Sequence, residues 1–149
     1  MGERNGDTLV LFGASGDLAK RKIYPSLHAM VKRGNLKVPV IGVARAGWTL
    51  AQFREYVRTS IQTHGDYDHK TFETLAGLLH YVDGDYDRGE TFLAINRQLG
   101  PAVTPVHYLA IPPVLFESVV VQLASAGCTR QGRVIVEKPF GHDLVSAEA

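Results

Sequence analysis

A glycine-rich segment directly follows a short apolar run near the start of the chain. The apolar run is Thr8–Phe12, and the segment reads Gly13-Ala14-Ser15-Gly16-Asp17-Leu18-Ala19. Glycines at such a turn let the backbone approach a pyrophosphate closely, and the N–H groups at the start of the following helix then face the anion. Its position after the first apolar run favours dinucleotide binding, and the Gly-Lys-Ser/Thr ending of an ATP-binding loop is missing. The alternative is an ordinary strand-to-helix turn.

A basic side chain, Arg45, stands where the second apolar run, residues 39–44, ends. Folds that bind NAD usually place Asp or Glu at this point, where the carboxylate accepts hydrogen bonds from the ribose 2′-hydroxyl. An arginine suits a 2′-phosphate instead, through charge-assisted and bidentate contacts. The pattern therefore favours NADP, and the alternative is an exposed arginine at the start of a loop.

Two further groups of basic residues could reach a phosphorylated ligand. Lys20, Arg21 and Lys22 follow the glycine-rich segment, and Lys138 stands in the turn Glu137-Lys138-Pro139-Phe140-Gly141. A lysine near a pyrophosphate or a sugar phosphate acts as a point charge. For Arg21 we favour the other interpretation, a solvated helix face. Lys138 could also be an exposed lysine where a strand ends.

Five short apolar runs alternate with stretches of helical periodicity. The predicted strands cover residues 8–12, 39–44, 80–83, 106–111 and 133–136. The predicted helices cover residues 19–33, 49–63, 70–79, 90–99 and 114–126. This alternation predicts an α/β fold with a doubly wound, mostly parallel sheet of the Rossmann-like kind, in a single domain over residues 1–149. Ligands of such sheets bind at the carboxyl ends of the strands, where the residues discussed above lie.

Composition excludes several other classes of protein. The formal net charge of +1 lacks the broad basic excess of proteins that bind nucleic acids or membrane surfaces. Cys128 is the only cysteine, so neither an internal disulfide nor a cysteine-rich metal site can form. The six histidines show no metal-site spacing. We expect a cytoplasmic protein without a metal.

Three segments together resemble the glucose-6-phosphate dehydrogenase family. They are Gly13-Ala14-Ser15-Gly16-Asp17-Leu18-Ala19-Lys20-Arg21-Lys22-Ile23-Tyr24-Pro25, then Tyr108-Leu109-Ala110-Ile111-Pro112-Pro113, then Val136-Glu137-Lys138-Pro139-Phe140-Gly141. The resemblance extends from about Thr8 to the end of the chain. It implies that Arg45 binds the NADP 2′-phosphate and that Tyr108 and Lys138 contact the cofactor. Asp85 and Tyr86 are weaker cofactor candidates. The residues implied along the dinucleotide are Gly13, Ala14, Ser15, Gly16, Asp17, Leu18, Ala19 and Lys20.

The resemblance also implies a reaction, with Lys138 and Lys22 contacting the substrate. Glucose 6-phosphate would be oxidised at C1 to 6-phosphogluconolactone with hydride transfer to NADP, the first step of the pentose phosphate pathway. The family's catalytic histidine lies in an Asp-His-Tyr-Leu-Gly-Lys motif that this sequence lacks, and we do not assign its role to His107 or His142. We therefore expect no catalytic residue and no useful activity in these residues alone. We also expect the family's substrate and oligomerisation domain to lie outside these residues, and a homo-oligomer to form only in the intact enzyme.

Three other interpretations remain. Gfo/Idh/MocA-type sugar oxidoreductases also combine a Rossmann domain with a Glu-Lys-Pro turn, but the run from Asp17 to Pro25 argues against them. A short-chain reductase can carry a similar glycine-rich loop, but the chain lacks a Tyr-x-x-x-Lys pair. The third is a stand-alone, non-catalytic NADP-binding or redox-sensing module.

Overall fold

One six-stranded sheet organises the chain. The computed structural model describes residues 8–99, 105–125, 133–137 and 144–147, the last two ranges through their backbone only. The strands are β1 (Thr8–Phe12), β2 (Val40–Ala44), β3 (Leu79–Asp83), β4 (Pro105–Leu109), β5 (Arg133–Glu137) and β6 (Leu144–Ala147). Their order is β3-β2-β1-β4-β5-β6. Strands β1 to β5 are parallel, and β6 pairs with β5 in the antiparallel direction.

Helices cover both faces of this sheet. They are α1 (Tyr24–Lys32), α2 (Leu50–His64), α3 (His69–Leu78), α4 (Gly89–Leu99) and α5 (Phe116–Ser125). Alternate residues of β1 serve two separate cores. Leu11 packs in the core under α1, α2 and α3, whereas Val10 and Phe12 pack in the core under α4 and α5. Burial on both faces explains why the strand reads as a continuous apolar run.

The predicted fold class is confirmed, with small differences at the ends of elements. β4 ends at Leu109, two residues before the predicted end. The N–H of Ala110 makes one last hydrogen bond to the carbonyl of Phe12, and Pro112 follows soon after. β6 was not predicted, because its four residues are too few to show a periodicity. β5 includes Glu137, whereas the rest of the Glu-Lys-Pro turn and His142 lie outside the described residues.

A wide helical turn precedes α1. Residues Ala19–Ile23 form a π-helix, and the N–H of Tyr24 donates to the carbonyl of Ala19, five residues back. Pro25 occupies the first turn of α1. Proline has no N–H to donate to the carbonyl four residues earlier, which disfavours a regular α-helical turn at this point.

Candidate functional site

The glycine-rich loop after β1 is anchored to the end of β2. The N–H groups of Gly13 and Ala14 both donate to the carbonyl of Val43, each over 3.1 Å. Gly13 has φ +88°, and a Cβ there would lie 2.1 Å from the carbonyl oxygen of Ala110. Only glycine meets both conditions, so Gly13 lets β1, β2 and β4 converge at their carboxyl ends.

Three tyrosine hydroxyls hold this loop from different sides. Tyr86 accepts the Gly13 N–H over 2.8 Å and donates to the Val43 carbonyl over 3.1 Å. Tyr24 donates to the carbonyl of Ala14. Tyr56, on α2, donates to the carbonyl of Ser15 over 3.0 Å. The loop backbone is therefore fixed by side chains that come from three helices or loops far apart in the sequence.

These tyrosines stay protonated at neutral pH. Burial raises the pKa of Tyr86 to about 12, although the Gly13 N–H opposes the increase. Burial raises the pKa of Tyr24 well above its usual value. Burial and the nearby Asp17 carboxylate raise the pKa of Tyr56. Each hydroxyl therefore keeps the proton that its hydrogen bond to a carbonyl requires.

The loop continues into the wide π-helical turn that carries the basic residues. The Lys20 N–H donates to the Gly16 carbonyl over 3.1 Å, and its side chain is partly buried. Asp17 and Arg21 form an exposed ion pair with 2.9 Å between Oδ2 and Nε. This pairing agrees with a solvated helix face for Arg21. Lys22 is exposed.

An arginine–aspartate–arginine triad stands beyond the ends of β2 and β3. Arg45 Nε lies 2.7 Å from Asp85 Oδ1, and Arg88 Nε lies 3.4 Å from Asp85 Oδ2. The arginine side chains are 78% and 61% exposed, and that of Asp85 is 27% exposed. Two cavities of about 370 and 360 Å³ share Arg45 and Asp85 in their walls, and the second extends past Tyr86 to Leu115. Both volumes lie within the range of small-molecule sites.

Asp83 fixes the loop that carries Arg45. Its Oδ1 accepts the N–H groups of Ala46 over 3.1 Å and Gly47 over 2.7 Å, and the hydroxyl of Tyr81 over 2.6 Å. Partial burial disfavours the carboxylate, but these donors and the N–H of Trp48 outweigh it and lower the pKa of Asp83. The carboxylate is therefore charged at neutral pH, and the loop after β2 is tied to the end of β3.

Comparisons with known proteins agree with this geometry. The family described as "Glucose-6-phosphate dehydrogenase, NAD binding domain" matches residues 10–149. The chain belongs to this family. It is 38% identical over 141 residues to glucose-6-phosphate 1-dehydrogenase 1 of Mycobacterium tuberculosis, covering 95% of this chain and 30% of that enzyme. It is 35% identical over 153 residues to the Bacillus subtilis glucose-6-phosphate 1-dehydrogenase, covering 95% and 31%.

Solved structures of the family show the same fold. The crystal structure of the Mycobacterium avium glucose-6-phosphate 1-dehydrogenase matches with a TM-score of 0.88 and 38% identity, over 95% of this chain and 31% of that one. A glucose-6-phosphate dehydrogenase in complex with its substrate glucose-6-phosphate matches with a TM-score of 0.77 and 30% identity, over 96% and 33%. The chain thus spans about a third of the relatives it matches, and it is their nicotinamide-dinucleotide-binding domain.

The structure brings most of the predicted cofactor residues of this dehydrogenase domain to one edge of the sheet. Tyr86 contacts the glycine-rich loop, and Asp85, its neighbour in the chain, pairs with Arg45. Tyr108 is the next-to-last residue of β4, opposite Leu11, and it packs partly buried against the core under α1. Lys138 lies outside the described residues. The cofactor and substrate roles of all these residues stay predictions.

Sequence reasoning missed four residues that shape this edge. They are Tyr24, Tyr56, Asp83 and Arg88. Asp83 could have been found, because it ends β3 and the ends of neighbouring parallel strands meet. Tyr56 gave no signal in the sequence, since its partner Ser15 lies 41 residues away. Arg88 gave none either, since its contact with Asp85 lies within a short turn. Tyr24 belongs to the first family segment, but the sequence did not indicate its bond to the loop.

Two negative findings concern the described residues alone. No cluster of three or more metal-binding side chains occurs in residues 8–99 and 105–125. Within the described part of the chain, no helix is long and apolar enough to cross a membrane.

Proposed function

We propose that this chain is the NADP-binding part of an enzyme that oxidises glucose 6-phosphate to 6-phosphogluconolactone. The observation that carries the proposal is that two features predicted to bind anions lie side by side. The glycine-rich loop and Arg45 follow adjacent strands, and Val43 and Tyr86 connect them. Family membership supports the reaction, since the matched relatives are glucose-6-phosphate dehydrogenases.

The cofactor would cross the carboxyl edge of the sheet. Its pyrophosphate would lie against residues 13–20, near the N–H groups of Ser15 and Asp17 and the ammonium group of Lys20. Its adenosine would enter the cavity lined by Arg45, Tyr86 and Leu115. Arg45 would then bind the 2′-phosphate, and this charge-assisted contact would favour NADP over NAD.

The nicotinamide supplies the hydride chemistry when the cofactor is bound. Tyr108 and Lys138 would contact the cofactor, and Lys138 and Lys22 would hold the sugar phosphate in reach of it. The proton of the C1 hydroxyl needs a general base, and we assign none in this chain. We therefore propose that these residues bind and orient, and that the base and most of the substrate site come from the remaining part of the enzyme.

The proposal also covers partners and cellular location. Homo-oligomers would form only in the intact enzyme, and neither a nucleic acid nor a membrane is a partner. A cytoplasmic location is supported by the single cysteine, Cys128.

The test uses the protein expressed from the complete reading frame. NADPH formation is measured by the absorbance of the reduced nicotinamide. We expect reduction of NADP with glucose 6-phosphate and much slower reduction with glucose, which lacks the phosphate. No reduction with glucose 6-phosphate would contradict the proposal. If NADP still bound, that result would favour a non-catalytic NADP-binding module.

A further inference from the structure

Asp85 occupies an unusual position for a site meant to hold a 2′-phosphate. Its carboxylate stands 2.7 Å from the one arginine that the phosphate would use, and it also pairs with Arg88. A carboxylate repels a phosphate, yet it is the group that NAD-binding folds use to accept the ribose 2′-hydroxyl. The triad therefore combines an arginine, the group that suits the 2′-phosphate of NADP, with a carboxylate, the group that suits the 2′-hydroxyl of NAD.

We propose that Asp85 is a specificity-determining residue that limits the preference for NADP over NAD. This inference rests on the proposed binding of NADP at Arg45. With NADP, Arg45 must turn from Asp85 to the phosphate, and the carboxylate stays close enough to oppose the new charge. With NAD, the carboxylate can accept the 2′-hydroxyl, and no repulsion arises.

The geometry of Arg45 and Asp85 is that of a contact that Arg45 can leave when a phosphate binds. Asp85 Oδ1 is covered, and it has no hydrogen bond of good geometry in the described residues, although Arg45 Nε is 2.7 Å away. The contact is therefore a charge pair without an aligned N–H donor. The Arg45 side chain is largely exposed, so it can move aside without disturbing the core.

The surrounding charges add to this effect. The cavity beside Arg45 also has Arg88, Asp83 and Glu90 in its wall, so its two arginines face three carboxylates. Asp83 is already occupied by the N–H groups of the loop after β2, and Glu90 is 3.9 Å from Arg88. Asp85 is the carboxylate in ion-pair contact with Arg45, which makes it the one whose removal should change the response to a 2′-phosphate most.

The size of the effect follows from Coulomb's law. A phosphate bonded to Arg45 would lie about 6 Å from the carboxylate, and water-like surroundings at that distance predict about a tenfold change in affinity for a doubly charged group. The change Asp85→Asn removes the charge at constant shape. We expect the Kd for NADP to fall about tenfold and the Kd for NAD to stay the same or rise.

The experiment is calorimetric titration of the wild type, Asp85→Asn and Asp85→Ala with NADP and with NAD at two salt concentrations. Glu73→Gln is the matched control, because it removes an exposed, paired carboxylate on α3. The quantity compared is the Kd for NAD divided by the Kd for NADP. The inference is supported if this ratio rises in both Asp85 variants, rises less at high salt, and does not change in the control. An equal loss for both cofactors would mean that Asp85 only holds the loop, and an unchanged ratio would also overturn the inference.

The wild type separates this inference from the function on which it rests. A wild type that binds neither cofactor contradicts the proposed function itself. A wild type that binds both, with Asp85 variants of unchanged ratio, overturns only the role of Asp85.

Discussion

Gly13 is the residue at which three strand ends meet. Its N–H reaches the Val43 carbonyl and the Tyr86 hydroxyl, and its α-carbon lies against the Ala110 carbonyl. The sequence predicted a turn at Gly13 from the position of this glycine after an apolar run. It could not show the second reason for the glycine, because Ala110 is almost a hundred residues away in the chain.

The change Gly13→Ala should therefore be far more damaging than a change at an ordinary left-handed glycine. Gly34 also has a positive φ, +77°, but an added Cβ there meets nothing within 4 Å. We expect Gly34→Ala to lower the free energy of unfolding by about 1 kcal/mol through backbone strain alone. Gly13→Ala should cost about 3 kcal/mol or more, because the clash with Ala110 adds to the strain. Chemical denaturation measures both, and equal costs would contradict the packing argument.

The Tyr86 hydroxyl offers a second test at the residue scale. Tyr86→Phe keeps the ring against Phe12 but removes the bridge between Gly13 and Val43. We expect a loss of about 1–2 kcal/mol in the free energy of unfolding and a several-fold weaker binding of NADP, because the loop loses a fixed point.

Tyr67→Phe is the control for that change, since its hydroxyl contacts side chains outside the glycine-rich loop, His69 over 3.3 Å and Arg58. It should alter stability by less than about 0.5 kcal/mol. Equal NADP affinity in the wild type and in Tyr86→Phe would show that this hydroxyl does not position the loop.

At the scale of the elements, α2 packs closely against β2. Gly42 faces the ring of Phe53, and a Cβ at position 42 would lie 2.4 Å from its Cζ. α2 can therefore approach the sheet closely enough for Tyr56 to reach Ser15. The N-terminus of α2 is fixed by a capping box between Thr49 and Gln52.

A double-mutant cycle tests this close approach. We expect Gly42→Ala to cost about 2–3 kcal/mol, because the added methyl group forces the Phe53 ring to move. Phe53→Leu removes the atoms that the methyl group meets. The free energy of unfolding of the double variant should then exceed the additive value by about 1 kcal/mol or more. Strict additivity would contradict the packing of these two residues.

Sequence predicted the elements more completely than it predicted their contacts. The runs that became β1, β2 and β3 and the helical periods of α2 and α4 depend on local patterns, and their bounds agree within about one residue. The wide turn at Ala19–Ile23 and the short β6 escaped prediction. The first depends on hydrogen bonds that a pattern of apolar residues does not report, and the second depends on pairing with β5.

At the scale of the whole molecule, one six-stranded sheet presents the predicted cofactor residues at the carboxyl ends of its strands. Two cores stabilise the sheet from both faces, and the carboxyl ends of β1, β2 and β3 present the loop and the arginine triad. The chain covers about a third of its relatives, so we expect the sugar-phosphate site to be finished elsewhere. The molecule as described is suited to binding the cofactor.

Calorimetric titration of the purified chain with NADP and with NAD tests that claim most directly. Arg45→Ala and, as a control, Arg33→Ala, an exposed arginine after α1, accompany the wild type. The wild type should bind NADP more tightly than NAD, and Arg45→Ala should weaken NADP about tenfold or more while leaving NAD nearly unchanged. Arg33→Ala should match the wild type. Binding of neither cofactor would contradict the account, and equal binding of both by the wild type would contradict the role given to Arg45.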